Sequence, residues 1–207
     1  MEKIGTPQRL LDAAETELIT NQGFLEMAAV AKRAKASVGL AYHHFGSKTG
    51  LIAAVIDRFY GPVRDIALGD AIPVELEWMA REKARVQALI DYFYGHPLAP
   101  LVAGRLARDP EVLDIEQAHM DALLEEGARN IAQGQHQGVV EDSLCPDTIV
   151  ALLMGGLRLA IDRALLADPR PDPNDLLEQI WQFSQAALQP KTSQARNTGG
   201  DRNVRKA

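Results

Sequence analysis

His43, His44, His96, His119 and His136 are the chain's histidines, and Cys145 is its one cysteine. No histidine stands at metal-ligand spacing from another histidine or from an acid. There is no Gly-x-Ser-x-Gly nucleophile motif, and no glycine-rich phosphate loop follows a strand pattern. A lone cysteine allows neither an intrachain disulfide nor a cysteine-based zinc site, and an ordinary buried or half-buried thiol is expected at Cys145. The residues therefore assemble no catalytic or metal constellation; the reading is not an enzyme, and it calls for no cofactor. What they do assemble is a binding run, Ser37-Val38-Gly39-Leu40-Ala41-Tyr42-His43-His44-Phe45-Gly46-Ser47-Lys48.

The elements that must position this run follow from the apolar spacing. Met27, Val30, Ala31 and Ala34 fall at i, i+3, i+4 and i+7, on one face of a helix, and Val38, Ala41 and Phe45 repeat that periodicity after a break of three residues, Ala34-Lys35-Ala36. Ser37 offers its hydroxyl as the cap of the second helix. Two short helices so closely joined predict a helix-turn-helix, because a helix enters the major groove of DNA at a useful angle when a second helix packs across it. Val38, Gly39 and Leu40 then start the reading helix, where side chains meet base edges. Val38 and Leu40 have no polar group, which excludes bidentate hydrogen bonds from them to guanine or adenine. Apolar contact with thymine methyls and close backbone approach at Gly39 remain. A contact inside the head is nearly as good a reading for Leu40.

The run from Tyr42 to Lys48, with the helical spacing around it over roughly residues 8 to 57, resembles the DNA-binding segment of the TetR/AcrR family of transcriptional regulators. The resemblance implies backbone phosphate contacts from Tyr42 and His43, and from Lys48 at the start of a fourth helix, where unpaired N–H groups already favour an anion. Ser37 and Lys35 join that phosphate set. Lys32 and Arg33 add charge nearby, and each of these three basic residues could equally be a solvated face. The sequence departs from the family at Val38 and Leu40, where polar residues are usual, and at Lys35, which stands where the family usually has glycine. His44 is expected to be packed.

The chain has 207 residues and a net charge of −6, an unpromising balance for a partner of nucleic acid until it is divided. Residues 1–60 carry 7 Lys and Arg against 6 Asp and Glu, residues 61–189 carry 10 against 21, and the rest carry 5 against 1. An acidic body repels phosphate, so only the amino-terminal head, with the basic tail as a further candidate, can face DNA. Three regions are expected: a helix-turn-helix head over 1–60, a helical effector-binding and dimerisation body over 61–190, and a disordered basic tail over 191–207. The amino terminus has no apolar signal region, and the longest apolar run, Thr148 to Ile161, is broken by Arg158; a cytoplasmic protein with no membrane partner is expected.

The periodicity predicts an all-α fold of about nine helices. Thr6 should cap the first, which stops near Asn21-Gln22-Gly23, and Ser47 should cap the fourth, which Gly61-Pro62 should end or kink. Further helices are expected over 74–94, 98–107, from Asp109-Pro110 to about 135, from Cys145-Pro146 to about 167, and from Asp172-Pro173 to Gln189. By resemblance, the body encloses an effector cavity. Its candidate lining is Trp78, Tyr92, Phe93, Tyr94, His96, His119, Met120, Leu123, Met154 and Arg158, suited to a small, largely apolar molecule with one polar anchor. His119 stands out because it interrupts an apolar stripe, and a buried imidazole must find a partner. The last two helices should pair with a second copy through Gly155, Gly156, Leu157, Ile180, Trp181 and Ser184, giving a homodimer. Together these imply a regulator, in the usual sense a repressor, that leaves a near-palindromic double-stranded operator when the effector binds. The rival reading is a helical protein-interaction module that has lost sequence-specific DNA binding.

Overall fold

The computed structural model describes residues 5–68, 72, 76–104, 106 and 110–188, so the tail expected at 191–207 lies outside the described residues. Among them the chain is all-helical, with no strand. It forms α1 (Thr6–Thr20), α2 (Met27–Arg33), α3 (Val38–Phe45), α4 (Lys48–Leu68), α5 (Trp78–Gly95), α6 (Ala99–Ala103), α7 (Pro110–His136), α8 (Pro146–Leu165) and α9 (Pro173–Leu188).

Helices α1 to α3 close a head around Leu10, Ala14, Leu18, Val30 and Ala41, all fully buried, and α4 seals it with Leu51 and Val55. The predicted apolar stripe of α2 is the buried one: Met27, Val30, Ala31 and Ala34 all lie inside. Arg9 reaches across from α1 and donates through Nε to the carbonyl of Ala34 at 3.2 Å, satisfying an acceptor at the end of α2. Beyond the head, α4 packs against α7, α7 against α8, and α9 against α5, so the linking helix is built into the body as firmly as into the head.

Three expectations about element ends are corrected. Thr6 does not cap α1: Gly5 holds that position, Thr6 is already helical, and its hydroxyl accepts from Arg9 Nη2 at 3.1 Å. Helix α4 does not end at Gly61-Pro62 but continues to Leu68. Proline costs that helix one backbone hydrogen bond, but Phe59, Tyr60 and Val63, buried on both sides of it, tie the helix to the core across the break. Helix α6 is five residues, shorter than the expected span over 98–107. Cys145 is also corrected: it is exposed, at the position before α8, rather than buried.

Candidate nucleic-acid interface and body cavity

The reading helix is held by short-range devices. Ser37 accepts the N–H of Leu40 at 3.2 Å, the cap the sequence predicts. The turn before it passes through Lys35 with φ of 52°, and the N–H of Ala36 then returns to the carbonyl of Ala31 at 2.9 Å. A positive φ is the reason glycine suits this slot, and lysine occupies it here at a steric cost.

Ala41 is the buried anchor of α3, with Leu40 and Phe45 half-buried beside it. That leaves Val38, Gly39, Tyr42 and His43 exposed, and these four lie at i, i+1, i+4 and i+5, one continuous face. Gly39 has open space around it, so backbone can approach there. Lys48 is exposed at the first turn of α4, and Ser47 caps that turn by accepting the N–H of Gly50 at 2.7 Å. The expectation that His44 is packed is corrected: it is exposed, at the edge of the rings of His43 and Phe45. Lys32 and Lys35 are solvent-facing, whereas Arg33 is engaged with the buried carboxylate of Glu17 at 3.6 Å, so it braces α2 against α1.

From the head, α4 runs into the body, and its middle carries a connected set of polar side chains. Arg58 pairs with Asp12 at 2.6 Å and with Glu15, both on α1. His119 of α7 donates through Nε2 to Asp57 at 3.0 Å, the partner that a nearly buried imidazole requires, and its ring lies 5.2 Å from that of Tyr60. Tyr60 donates to Glu116 at 2.6 Å, Glu116 also accepts from Arg158 Nη2 at 3.1 Å, and Arg158 Nε donates to Asp162 at 2.8 Å. Burial pushes the Tyr60 hydroxyl well above its ordinary range and raises Asp162 as well, so the tyrosine stays a neutral donor. The helix carrying Lys48 at its start is thus hydrogen-bonded to α7, and through Glu116 and Arg158 to α8.

At its far end Ala67 of α4 reaches a cavity of about 340 Å³ between α5, α7, α8 and α9. Of the expected lining, Trp78, Leu123 and Met154 face this cavity. Phe93, His119, Met120 and Arg158 instead surround a much smaller void of about 40 Å³ beside Tyr60. Three residues of the expected lining belong elsewhere, among them Tyr94, which donates to the carbonyl of Pro171 at 3.2 Å. Tyr92 donates to the carbonyl of Phe59 at 2.7 Å, with burial pushing its hydroxyl up to about 12. His96 stands 3.8 Å from Glu15, against α1, and its Nδ1 accepts the N–H of Leu98 at 3.2 Å. Burial holds His96 below its ordinary value, in keeping with a ring nitrogen that must stay unprotonated to accept.

The residues expected at the subunit contact divide in the same way. Gly155 and Gly156 are exposed with open space around them, but Trp181 and Ser184 are buried and, with Leu157 and Ile180, line the cavity. Their side chains face inward, because the apolar face of α9 is the one that closes the body over α5. Missed by the sequence reading were Arg81, Glu82 and Arg85, which α5 brings to the cavity wall at i, i+1 and i+4. The Arg85 and Glu82 side chains are paired, and Glu82 Oε1 stands 4.0 Å from Arg81 Nε. The i, i+4 repeat of arginine flanked by Val86 and Leu89 was the available signal, and it reads equally well as an exposed charged face.

Comparison with known proteins follows the same division of head and body. Residues 10–55 match the model of bacterial regulatory proteins, tetR family. No curated protein sequence matches the chain. Among solved structures, a TetR-family transcriptional regulator from Rhodococcus sp. is 18% identical with a TM-score of 0.72, covering 88% of this chain and 98% of its own. The fatty acid degradation regulator FadR from Bacillus halodurans is 15% identical with a TM-score of 0.74, covering 89% and 97%. FadR from Bacillus subtilis, solved in complex with stearoyl-CoA, is 14% identical with a TM-score of 0.73, covering 86% and 97%. At such identities the structures speak for the fold alone, and it is the head, over residues 10–55, that is similar to the bacterial regulatory proteins of the tetR family.

Proposed function

We propose that the protein is a homodimeric, ligand-responsive DNA-binding regulator, acting as a repressor that leaves a near-palindromic operator when a small molecule occupies the body cavity. The carrying observation is the span of α4. Its first residue, Lys48, is exposed beside the reading helix, its middle is hydrogen-bonded to α7, and Ala67, near its last turn, lines the cavity. A helix of 21 residues is roughly 30 Å long. A molecule that favours one packing of α5, α7 and α8 therefore favours one position of α4, and with it one spacing of two reading helices. The stearoyl-CoA complex of the Bacillus subtilis neighbour lends support to control by a bound ligand.

Within the head, Val38 and Gly39 take the base-edge role through methyl contact and close approach, and half-buried Leu40 sets the angle at which they enter. Tyr42, His43 and Lys48, with Ser37 and Lys35 at the turn, take phosphate. The second copy joins along an exposed stripe of α8, Leu152, Gly155, Gly156 and Leu159, at i, i+3, i+4 and i+7, together with Phe183 of α9.

Selection of bound fragments from random DNA with the purified protein tests this directly, and an inverted repeat is the expected product. Tyr42→Ala and Lys48→Ala should weaken binding to all sequences alike, and Lys48→Ala should reduce the salt slope by about one. Recovery of no enriched sequence, or DNA affinity that does not fall with salt, would favour the protein-interaction module instead.

A further inference from the structure

The cavity is not a plain apolar pocket. Apolar side chains, Val86, Leu89, Leu123, Leu153, Met154 and Leu157 among them, make up one part of its wall. The α5 part carries three N–H donors that are buried and have no acceptor: Trp78 Nε1, Arg81 Nε and Arg85 Nε. All three belong to side chains that line the same cavity, and Trp78 is 4% exposed. Buried donors without acceptors are costly and rare in folded proteins, so three on one wall call for an acceptor brought from outside.

Charge decides what that acceptor is. The two guanidinium groups share one carboxylate, Glu82, whose other partner is Asn130. The two further charged residues on the cavity's lining, Arg129 and Glu126, are paired with one another at the surface. The inner wall is therefore left with one positive charge uncompensated, and a planar guanidinium matches a carboxylate better than any neutral acceptor. The three nitrogens are closed off in this conformation, so an acceptor in the cavity reaches them only as the arginine side chains turn toward it.

We propose that the cavity binds an amphipathic organic monoanion, a carboxylate on an apolar body, with the carboxylate between Trp78, Arg81 and Arg85 and the body against α7 and α8. This rests on the reading of the cavity as the effector site, and it goes further in naming the ligand's chemistry.

The two tryptophans of the chain, Trp78 and Trp181, both line the cavity, so intrinsic fluorescence of the full-length protein reports its occupancy without DNA present. The probes are two matched sets: octanoate and decanoate with the corresponding alcohols and amines, and 2-naphthoate with 2-naphthylmethanol and 2-naphthylmethylamine. In at least one set the carboxylate should saturate the signal about tenfold or more tighter than its alcohol, and the amine weaker still. Arg81→Gln should remove roughly that tenfold preference while leaving alcohol binding almost unchanged. Trp78→Phe, which deletes one donor and keeps an aromatic ring, reads the same preference through Trp181 should the arginine variant not fold. Equal binding of carboxylate and alcohol in both sets, or a preference that survives both substitutions, would overturn the proposal. Release of DNA is measured separately: carboxylate binding without DNA release would sustain the ligand chemistry and sink the effector reading, whereas DNA release by an uncharged ligand alone would do the reverse.

Discussion

At the scale of single residues, the turn of the head holds a testable contradiction. Lys35 adopts φ of 52°, where a side chain costs about 1–2 kcal/mol relative to glycine. Glycine would suit that backbone better, and the proposed reading gives the lysine ammonium a phosphate to meet. Lys35→Gly should raise stability by about 1 kcal/mol in thermal unfolding, through relief of the strained backbone. It should at the same time lower DNA affinity and reduce the salt slope by about one, as loss of a single phosphate contact would. A stabilised variant with unchanged salt dependence would leave Lys35 as a solvated side chain with no part in binding. The sequence shows the anomaly, a lysine in a tight turn that would suit glycine, but not its direction. His119 and His44 illustrate the same limit: a single imidazole on a helical face was legible as unusual, yet its neighbours were not. His119 meets Asp57, 62 positions away on another helix, while His44 meets solvent.

At the scale of elements, period and punctuation carried most of the fold. Most helices are marked by an apolar stripe and by proline, glycine or serine near a start or end, and α2, α3 and the start of α4 fall where these signals set them. Where local punctuation failed, tertiary packing was the cause: Pro62 stands inside α4 because buried Phe59, Tyr60 and Val63 outweigh one lost hydrogen bond. The cavity was less legible, because period assigns residues to a face but cannot say which neighbour that face meets. Trp181 and Ser184 share the predicted face of α9 and look into the body, not out to a second copy. The junction of α3 with α4 gives a prediction at this scale. A Cβ on Gly50 would lie 2.3 Å from the carbonyl oxygen of Phe45, a backbone atom fixed by the turn at Gly46 and Ser47. Gly50→Ala should therefore force the reading helix away from α4, lowering stability by about 1–3 kcal/mol and DNA affinity with it. Gly39→Ala is the control, since nothing lies within 4 Å of its added methyl. Melting curves should show Gly39→Ala as stable as the parent or slightly more so, and its DNA affinity should fall if backbone approaches the groove there. An equal loss of stability in both variants would argue that the close contact at Gly50 is not what fixes the angle between the two helices.

At the scale of the whole molecule, an acidic body and a nearly neutral head make one head a weak reader. Residues 61–189 carry a net charge of −11, against +1 for residues 1–60, so a single head gains little from counterion release. Two heads on one rigid frame, as proposed, would overcome this, because after the first engages, the second binds at an effective concentration in the millimolar range. The frame needs an interface, and α8 offers one. Leu152 at 61%, Leu159 at 63% and Phe183 at 61% exposure are large apolar side chains with nothing over them, and Gly155 and Gly156 between the leucines let a second backbone come close. Burial of each leucine in a symmetric contact would contribute about 1.5–3 kcal/mol, counted once per copy. Leu159→Glu replaces that gain with two like charges facing one another across the axis. Because Leu159 lies outside the core clusters, the variant should keep its helical content and sediment as a monomer at micromolar concentration, where the proposal expects the parent to be a dimer. Operator affinity should then fall about a hundredfold or more through loss of the second head, while nonspecific affinity per head stays the same. A Leu159→Glu protein that remains dimeric and binds an inverted repeat normally would place the seam on some other face. The coupling through α4 would then have to act on a different relative placement of the two heads.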